Sequence, residues 1–560
     1  MRVPRFTLAF LAASAALAPQ AASAQDRPPP ALDRVDPGQP DRQERAEEPI
    51  ERAAPPRPAA PVEVPVARVN AAPADTRILV GAIMFSGLEV LQPADFADIV
   101  AAHVGRELDR TALSDLAGRV AARARARGYV FASAVIDPQR VETGVLTVRV
   151  DEGRIDRIDV QGDASQAVEA ALAPLADGRP ATLAEVERRL LLAGDLPGIR
   201  VRASRFVRDG NQGVLQVRVD ADRLSGRVVF ENDGSRPIGP EQLRLDVDMA
   251  ALAVAGDALA VTYVTTPFDF GELHYGRARY AVRVDSSGTE LGLVGTISAT
   301  DPGAYLRERD LEGRSWFAGV TLLQPLWRRR DASLWFESEL GLRDLRQYRG
   351  GALARHDRIL AMRVGLYGHV ELVGGRLRAN ASLSRGLAGL NATRLGDPLA
   401  SRDDAPADFT TLTLWADYIR DLGSDFSIRV AGRSQLSSEP LLLAEEVGLG
   451  GGAFLRGYNY NERSGDQGAM AMGELRWNWQ QPLGGLVRRS QLYAFADGGR
   501  VTNLEGGRGS GSLASSGGGV RTFIGNGLGA DFEIAVPLSG PRYDTGDADP
   551  RFNVRIAKTF

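Results

Sequence analysis

Two charged residues stand in settings that few surface charges share. Arg456 lies in Phe454-Leu455-Arg456-Gly457-Tyr458, flanked by two aromatics and followed by a glycine. Asp497 lies in Phe495-Ala-Asp-Gly-Gly499, on a segment with strand-like alternation. A guanidinium can grip a carboxylate through two parallel hydrogen bonds, and a glycine lets a loop turn sharply. In open water an arginine–carboxylate pair contributes ~0–1 kcal/mol; partly desolvated beside aromatic rings it contributes more. This is chemistry for holding and releasing rather than for making bonds.

Other chemistries cannot be assembled. There is no cysteine, so disulfide frameworks and thiolate metal sites are excluded. The four histidines, His103, His274, His356 and His369, are scattered, and none stands at metal-ligand spacing to a second. They build no Ser/His/Asp set, so an enzyme, a metal site and a cofactor are not expected. No G-x-x-x-x-G-K-[ST] occurs, and Gly448–Gly452 carries no lysine, which removes nucleotides. A net charge of -4 gives no reason to expect nucleic acid. All basic residues but Lys558 are arginine, a genome composition bias that makes any single arginine weak evidence.

The elements that must position Arg456 and Asp497 are strands. From Leu224 helical periodicity disappears, and 48 of the 62 glycines lie in Ser225–Phe560. Segments of about ten residues alternate apolar and polar. Leu243, Leu245, Val247 and Met249 alternate with Arg244, Asp246 and Asp248; Leu291, Leu293, Ile297 and Ala299 alternate with Gly292, Val294, Thr296 and Ser298. About sixteen such segments precede the end, and the last, with Phe552, Val554, Ile556 and Phe560 on one face, ends on an aromatic. An even number closes a ring, and a ring of sixteen leaves a water-filled lumen. Trp316, Trp327, Trp335, Tyr367, Trp477 and Trp479 are candidates for interfacial girdles. Leu436–Gln467, which carries Arg456, is the long connection between the eleventh and twelfth segments.

Residues 1–24 read as a secretory signal peptide: Arg2 and Arg5, an apolar run from Phe6 to Ala18, then Ala22-Ser-Ala24. No later run is long enough for a membrane helix. An exported chain without a helical anchor is reconciled by a barrel, since only helices and closed barrels satisfy the backbone in lipid. Residues 25–75 read as a linker. Twelve of the 49 residues from Asp26 to Ala74 are proline, so much of it is expected to be extended and solvated; Asp41–Glu48 is a candidate short charged helix and a candidate plug of the pore. Residues 76–152 and 153–223 read as two similar units of β-α-α-β-β order. Residues 224–560 are the barrel. A soluble sandwich or propeller also has many short strands, but no propeller repeat is found.

Phe454–Tyr458 is similar to the [VI]-R-G-[FY] signature in the sixth extracellular loop of two-partner secretion transporters of the ShlB/FhaC/HecB type, and Phe495–Gly499 resembles the F-x-D-x-G motif of their thirteenth strand. Arg127-Gly-Tyr129 and Asp151-Glu-Gly-Arg154 look like the first POTRA domain of that family. Position 455 is Leu where Val or Ile is commoner. The resemblance covers essentially the whole mature chain. It implies a mainly β fold with α+β periplasmic domains: two POTRA domains, then a sixteen-stranded antiparallel transmembrane β-barrel in a Gram-negative outer membrane. It implies secretion, with or without activation, of a large haemolysin- or adhesin-type partner that the POTRA domains bind. It also implies that Arg456 folds into the lumen and pairs with Asp497, with Phe454, Leu455, Gly457, Tyr458, Phe495 and Gly499 around them. Rival readings are an insertase of the same superfamily, which usually carries three or more POTRA units, and a passive porin, which has no need of the α/β units.

Overall fold

The computed structural model describes residues 35–43, 62–63 and 77–560, apart from 142, 164–165, 211, 481 and 483–486. The predicted signal peptide lies outside the described residues. In the first α/β unit, Ala82–Ser86 pairs parallel with Val145–Asp151, which pairs antiparallel with Ser133–Val135. Asp109 caps the helix Arg110–Ala126 by accepting from the Ala112 N–H at 2.8 Å. That helix buries Leu113, Leu116, Val120 and Ala124, the face its 3.6-residue period predicts, and Gly128 ends it at φ 102°. The second unit repeats the order with Arg157–Gly162, helices Gln166–Leu172 and Leu183–Gly194, and strands Ile199–Asp209 and Gln212–Ala221. Phe131 and Phe206 stack at 4.1 Å across the junction of the two units. Along the edge strand Ile199–Asp209, Val62–Glu63 of the proline-rich segment adds a parallel partner, Val62 opposite Ser204 and Glu63 opposite Arg205.

Sixteen antiparallel strands close into one barrel from Leu224–Glu231 to Arg551–Thr559. At the seam Gly226 and Phe560 exchange both backbone hydrogen bonds, at 2.9 and 3.0 Å. A Cβ on Gly226 would lie 2.3 Å from the Phe560 ring, so this register requires glycine. Alternation is strict where one face meets lipid: Leu291, Leu293 and Ile297 are exposed, while Val294, Thr296 and Ser298 between them are buried. Trp316, Trp327, Trp477 and Trp479 face outward. Trp335 and Tyr367 do not; they stack at 5.5 Å on the lumen side, because Leu334 and Leu366 take the outward parity.

Residues 35–43 depart from the expectation of a solvated linker. They lie inside the barrel, and 39–43 are helical. Val35 packs among Ile238, Leu273, Tyr275, Leu306 and Leu311 near the mouth. Asp41 pairs with Arg343 at 2.5 Å, and Arg42 reaches both Asp36 and the Leu443 carbonyl. Asp41 meets an opposite charge on the wall, and Arg42 is satisfied within its own segment and by the long connection, pairings that composition does not reveal. The rest of the charged stretch, 44–48, lies outside the described residues.

The second α/β unit is fastened to the rim. Arg328 donates to both carboxylate oxygens of Asp195 at 2.7 Å, with its guanidinium carbon 5.2 Å from the Trp335 ring centroid. Arg189 donates to the Ser286 carbonyl at 2.6 Å, and Arg283 to that of Asp195 at 3.2 Å. Hairpin turns on this side lie beside the α/β units, the end that the resemblance makes periplasmic, and the long loops lie at the opposite end. Asp195→Ala strands a buried guanidinium, a change that costs about 3–5 kcal/mol. The expected outcome is faster proteolytic cleavage at the unit–barrel junction with an intact barrel; unchanged cleavage would show that the clamp does not hold the unit.

Candidate functional site

The connection Leu436–Gln467 folds back into the barrel. It opens with a short hairpin, Val447–Leu449 against Arg463–Gly465. Gly450 and Gly451 take φ 107° and 97° and steer the tip inward. The sharp tip turn falls on Leu455, at φ 61°, a left-handed backbone that costs a non-glycine residue about 1–2 kcal/mol. Gly457 is not the turn residue expected of it. It provides space: a Cβ there would lie 3.0 Å from the Pro537 nitrogen and from Ser515 Cβ, so only glycine lets the tip approach the wall this closely.

Arg456 is 4% exposed. Its Nη1 donates to Glu533 at 2.7 Å and its Nη2 to Glu474 at 2.8 Å. The guanidinium lies 4.0 Å from the centroid of Phe495, a cation–π contact. Asp497 is therefore not the side-chain partner the resemblance implied. It accepts from the Arg456 backbone N–H at 3.3 Å and from the Ser515 hydroxyl, while Ser515 accepts from the Gly457 N–H at 3.2 Å. Phe454 and Tyr458 are buried beside the tip, with Leu455 fully enclosed. The Tyr458 hydroxyl donates to the Gly540 carbonyl at 3.1 Å, and Arg551 donates to the Tyr458 carbonyl at 2.9 Å. Gly499 admits the hairpin: its Cβ would lie 2.9 Å from Leu449 Cδ2. The structure thus brings Phe454 to Tyr458, Phe495, Asp497 and Gly499 into one cluster on the inner wall.

The residues that sequence reasoning missed are the real acceptors and their neighbours. Glu474 also accepts from Arg476 at 2.6 Å and Arg521 at 2.7 Å; Glu533 also accepts from the Tyr493 hydroxyl at 2.9 Å and Asn553 at 3.1 Å. A usable signal existed. Glu474 sits between Gly473 and Leu475, and Glu533 between Phe532 and Ile534, so each has the lumen parity of its strand.

The stem of the same loop is tied separately. Arg402, from the connection 387–409, reaches Asp404, Glu446 at 3.0 Å, Asp466 at 2.8 Å and the Leu504 carbonyl at 3.2 Å. Burial opposes ionisation of Asp404, yet the hydrogen bond from Arg402 prevails and holds that carboxyl below its ordinary range. Deeper in, Arg363 donates to Glu445 at 2.6 Å. Among the described residues no cluster fit to hold a metal ion occurs.

Residues 213–522 match the family described as "Haemolysin secretion/activation protein ShlB/FhaC/HecB", and residues 78–153 match "POTRA domain, ShlB-type". The outer membrane transporter CdiB of Dickeya dadantii is 24% identical over 397 residues, covering 67% of this chain and 68% of that protein. The heme/hemopexin transporter protein HuxB of Haemophilus influenzae is 22% identical over 488 residues, covering 83% and 84%. Among solved structures, CdiB from Escherichia coli superposes with a TM-score of 0.71 at 21% identity, covering 95% of this chain and all of that one. BamA from Haemophilus ducreyi, lacking POTRA domains 1–3, reaches 0.50 at 14% identity, covering 87% of this chain.

Arg456→Ala removes a buried cation from two carboxylates that keep other partners, so the loss falls on the loop rather than the barrel. Protease should then cut the Gly448–Gly452 stretch while the barrel keeps its heat-modifiable mobility. Asp497→Ala, which loses only contacts to a backbone N–H and a serine, should expose the loop less; equal exposure of the two variants would contradict the assigned pairing.

Proposed function

This chain belongs to the haemolysin secretion/activation family ShlB/FhaC/HecB, and from that premise we propose how it moves its cargo. It is an outer-membrane two-partner secretion transporter that exports a partner protein, and not an enzyme. The POTRA pair, residues 76–152 and 153–223, captures the unfolded partner in the periplasm. The barrel, residues 224–560, conducts it. Arg456 is a latch that keeps the long loop across the bore at rest, together with Phe454, Leu455, Gly457, Tyr458, Phe495, Asp497 and Gly499. The cargo is a large haemolysin- or adhesin-type protein.

The observation that carries this reading is that the bore is occupied by two polypeptide segments whose charged groups are each held by polar contacts, beside local apolar clusters around Val35 and Leu455. Residues 35–43 are held through Asp41 and Arg42, and the loop through Arg456 and Arg363. The ion pairs at the tip can exchange partners, since Glu474 also binds Arg476 and Arg521. Capture has a matching support. The edge strand Ile199–Asp209 already accepts a parallel strand, so it can accept an extended cargo segment through main-chain hydrogen bonds. Among the described residues the resident pairing is two residues long, Val62 and Glu63. A cargo strand without prolines can pair along more of the edge and displace it.

Deleting residues 75–222 should leave ion conductance in planar bilayers and abolish export; continued export would remove the capture role. Arg456→Ala should insert normally yet export little partner, measured as secreted protein in the medium, and normal export would remove the latch. Replacing Val62-Glu63-Val64 with prolines frees the edge. Since about two ladder bonds of roughly 1 kcal/mol each are lost, affinity for an unfolded partner segment should rise by up to about thirtyfold. Unchanged affinity would mean that cargo binds elsewhere.

A further inference from the structure

On the lipid side of the strands Leu311–Arg328, Ala332–Arg349 and Ala352–Leu372, Trp316 and Trp327 both face outward, eleven positions apart on one strand. At about 3.3 Å per residue and a tilt near 45°, they are separated by roughly 25 Å along the membrane normal, the height of an apolar band. Ala318, Val320 and Leu322 lie between them, beside Leu340 and Leu342 of the next strand. Trp327 is near the periplasmic rim to which the second POTRA unit is fastened, so Trp316 marks the outer-leaflet interface.

Immediately above Trp316 the three strands carry a row of basic residues. Arg314 is directly opposite Arg346, and Arg346 directly opposite His356. In the row below, Trp316 is opposite Asp344, and Asp344 opposite Arg358. Three guanidiniums and an imidazole thus face two carboxylates. Asp344 takes Arg346 at 3.0 Å and His356 at 3.0 Å, with Arg358 at 3.9 Å; Glu312 takes Arg314 at 3.3 Å. Arg314 also lies 5.7 Å from the centroid of Tyr348. Like charges directly opposite on neighbouring strands are destabilising. Here they are kept, with 68% of the Arg314 side chain and 45% of the Arg346 side chain exposed. Asp344 pins Arg346 from below, which turns the excess positive charge toward the membrane surface.

We propose that the Arg314–Arg346–His356 row, with Arg358 beneath it, binds the phosphate of a phosphorylated glycolipid in the outer leaflet. The acyl chains lie along the apolar band below Trp316. The bilayer itself delivers such a headgroup to this height, and an arginine pair suits a phosphate better than any neutral headgroup. The inference depends on the barrel and its orientation but not on the latch or on cargo capture.

The test uses the full-length protein in detergent micelles, with lipid A bisphosphate, its dephosphorylated form and inorganic phosphate as probes, read by native mass spectrometry. Wild type should prefer the bisphosphate over the dephosphorylated lipid. R314Q/R346Q should bind the bisphosphate about tenfold more weakly, the loss of roughly one charge-assisted contact, and bind the dephosphorylated lipid as wild type does. Equal affinity of the two proteins for the bisphosphate would overturn the site. So would displacement of the lipid by an equal concentration of inorganic phosphate, which would indicate a free-anion site. Should the double variant fail to insert, the wild-type comparison decides: no preference for the phosphorylated lipid would overturn the proposal.

Discussion

Everything in this molecule follows from the demand that each backbone N–H and C=O in lipid find a partner within the protein. Sixteen strands meet it by closing on themselves, and the closure rests on a short seam between Leu224–Glu231 and Arg551–Thr559. Closure fixes a parity. Each strand must send alternate residues to lipid and to the bore, so apolar residues line the outside and the inside inherits the charges. A bore of this width cannot be filled by strand side chains alone. It is occupied by segments from elsewhere in the chain, and their polar groups must be satisfied by the wall. The latch, the segment 35–43 and the loop stem are three solutions to that one problem.

The parity rule explains what could be read in the sequence and what could not. Strand number, the in–out faces of segments such as Glu290–Thr300, and the place of the long connection are local patterns, and local patterns are visible. So was the helix face Leu113, Leu116, Val120 and Ala124. The cluster of Phe454–Tyr458 with Phe495 and Asp497 came from a resemblance, which named the participants but not their geometry. The partners of Arg456 lie 18 and 77 residues away, and choosing Glu474 and Glu533 over Asp497 needs the curvature of the wall. Trp335 and Tyr367 misled because an aromatic in a strand fits either the girdle or the bore until the register is known. Residues 35–43 misled because the charges that exposed them to a solvated reading are the ones that bind them to Arg343 and Leu443.

The arrangement of charges around Arg456 bears on how a buried ion pair can be movable. A buried carboxylate left alone is costly, and that cost usually locks a pair shut. Here neither acceptor would be left alone. Glu474 keeps Arg476 and Arg521, and Glu533 keeps Tyr493 and Asn553. Release therefore leaves both carboxylates solvated by the wall, and the penalty falls mainly on Arg456 itself, which moves toward the aqueous bore where a guanidinium is at home. The left-handed Leu455 works in the same direction, because strain at the tip is relieved when the tip leaves.

Tip and stem differ in this respect. Arg402 gathers Asp404, Glu446 and Asp466, and its removal would leave three carboxylates crowded at the extracellular mouth. The stem is thus the costly contact to break and the tip the cheaper one. Between them lie Gly450 and Gly451, at backbone angles that glycine tolerates and other residues do not, followed by Gly452. On the proposed latch reading, the root stays fixed while the glycines between let the tip swing from the bore without leaving the barrel. It can also return to the same place, since in its absence Glu474 stays paired with Arg476 and Arg521 and Glu533 keeps the neutral donors Tyr493 and Asn553.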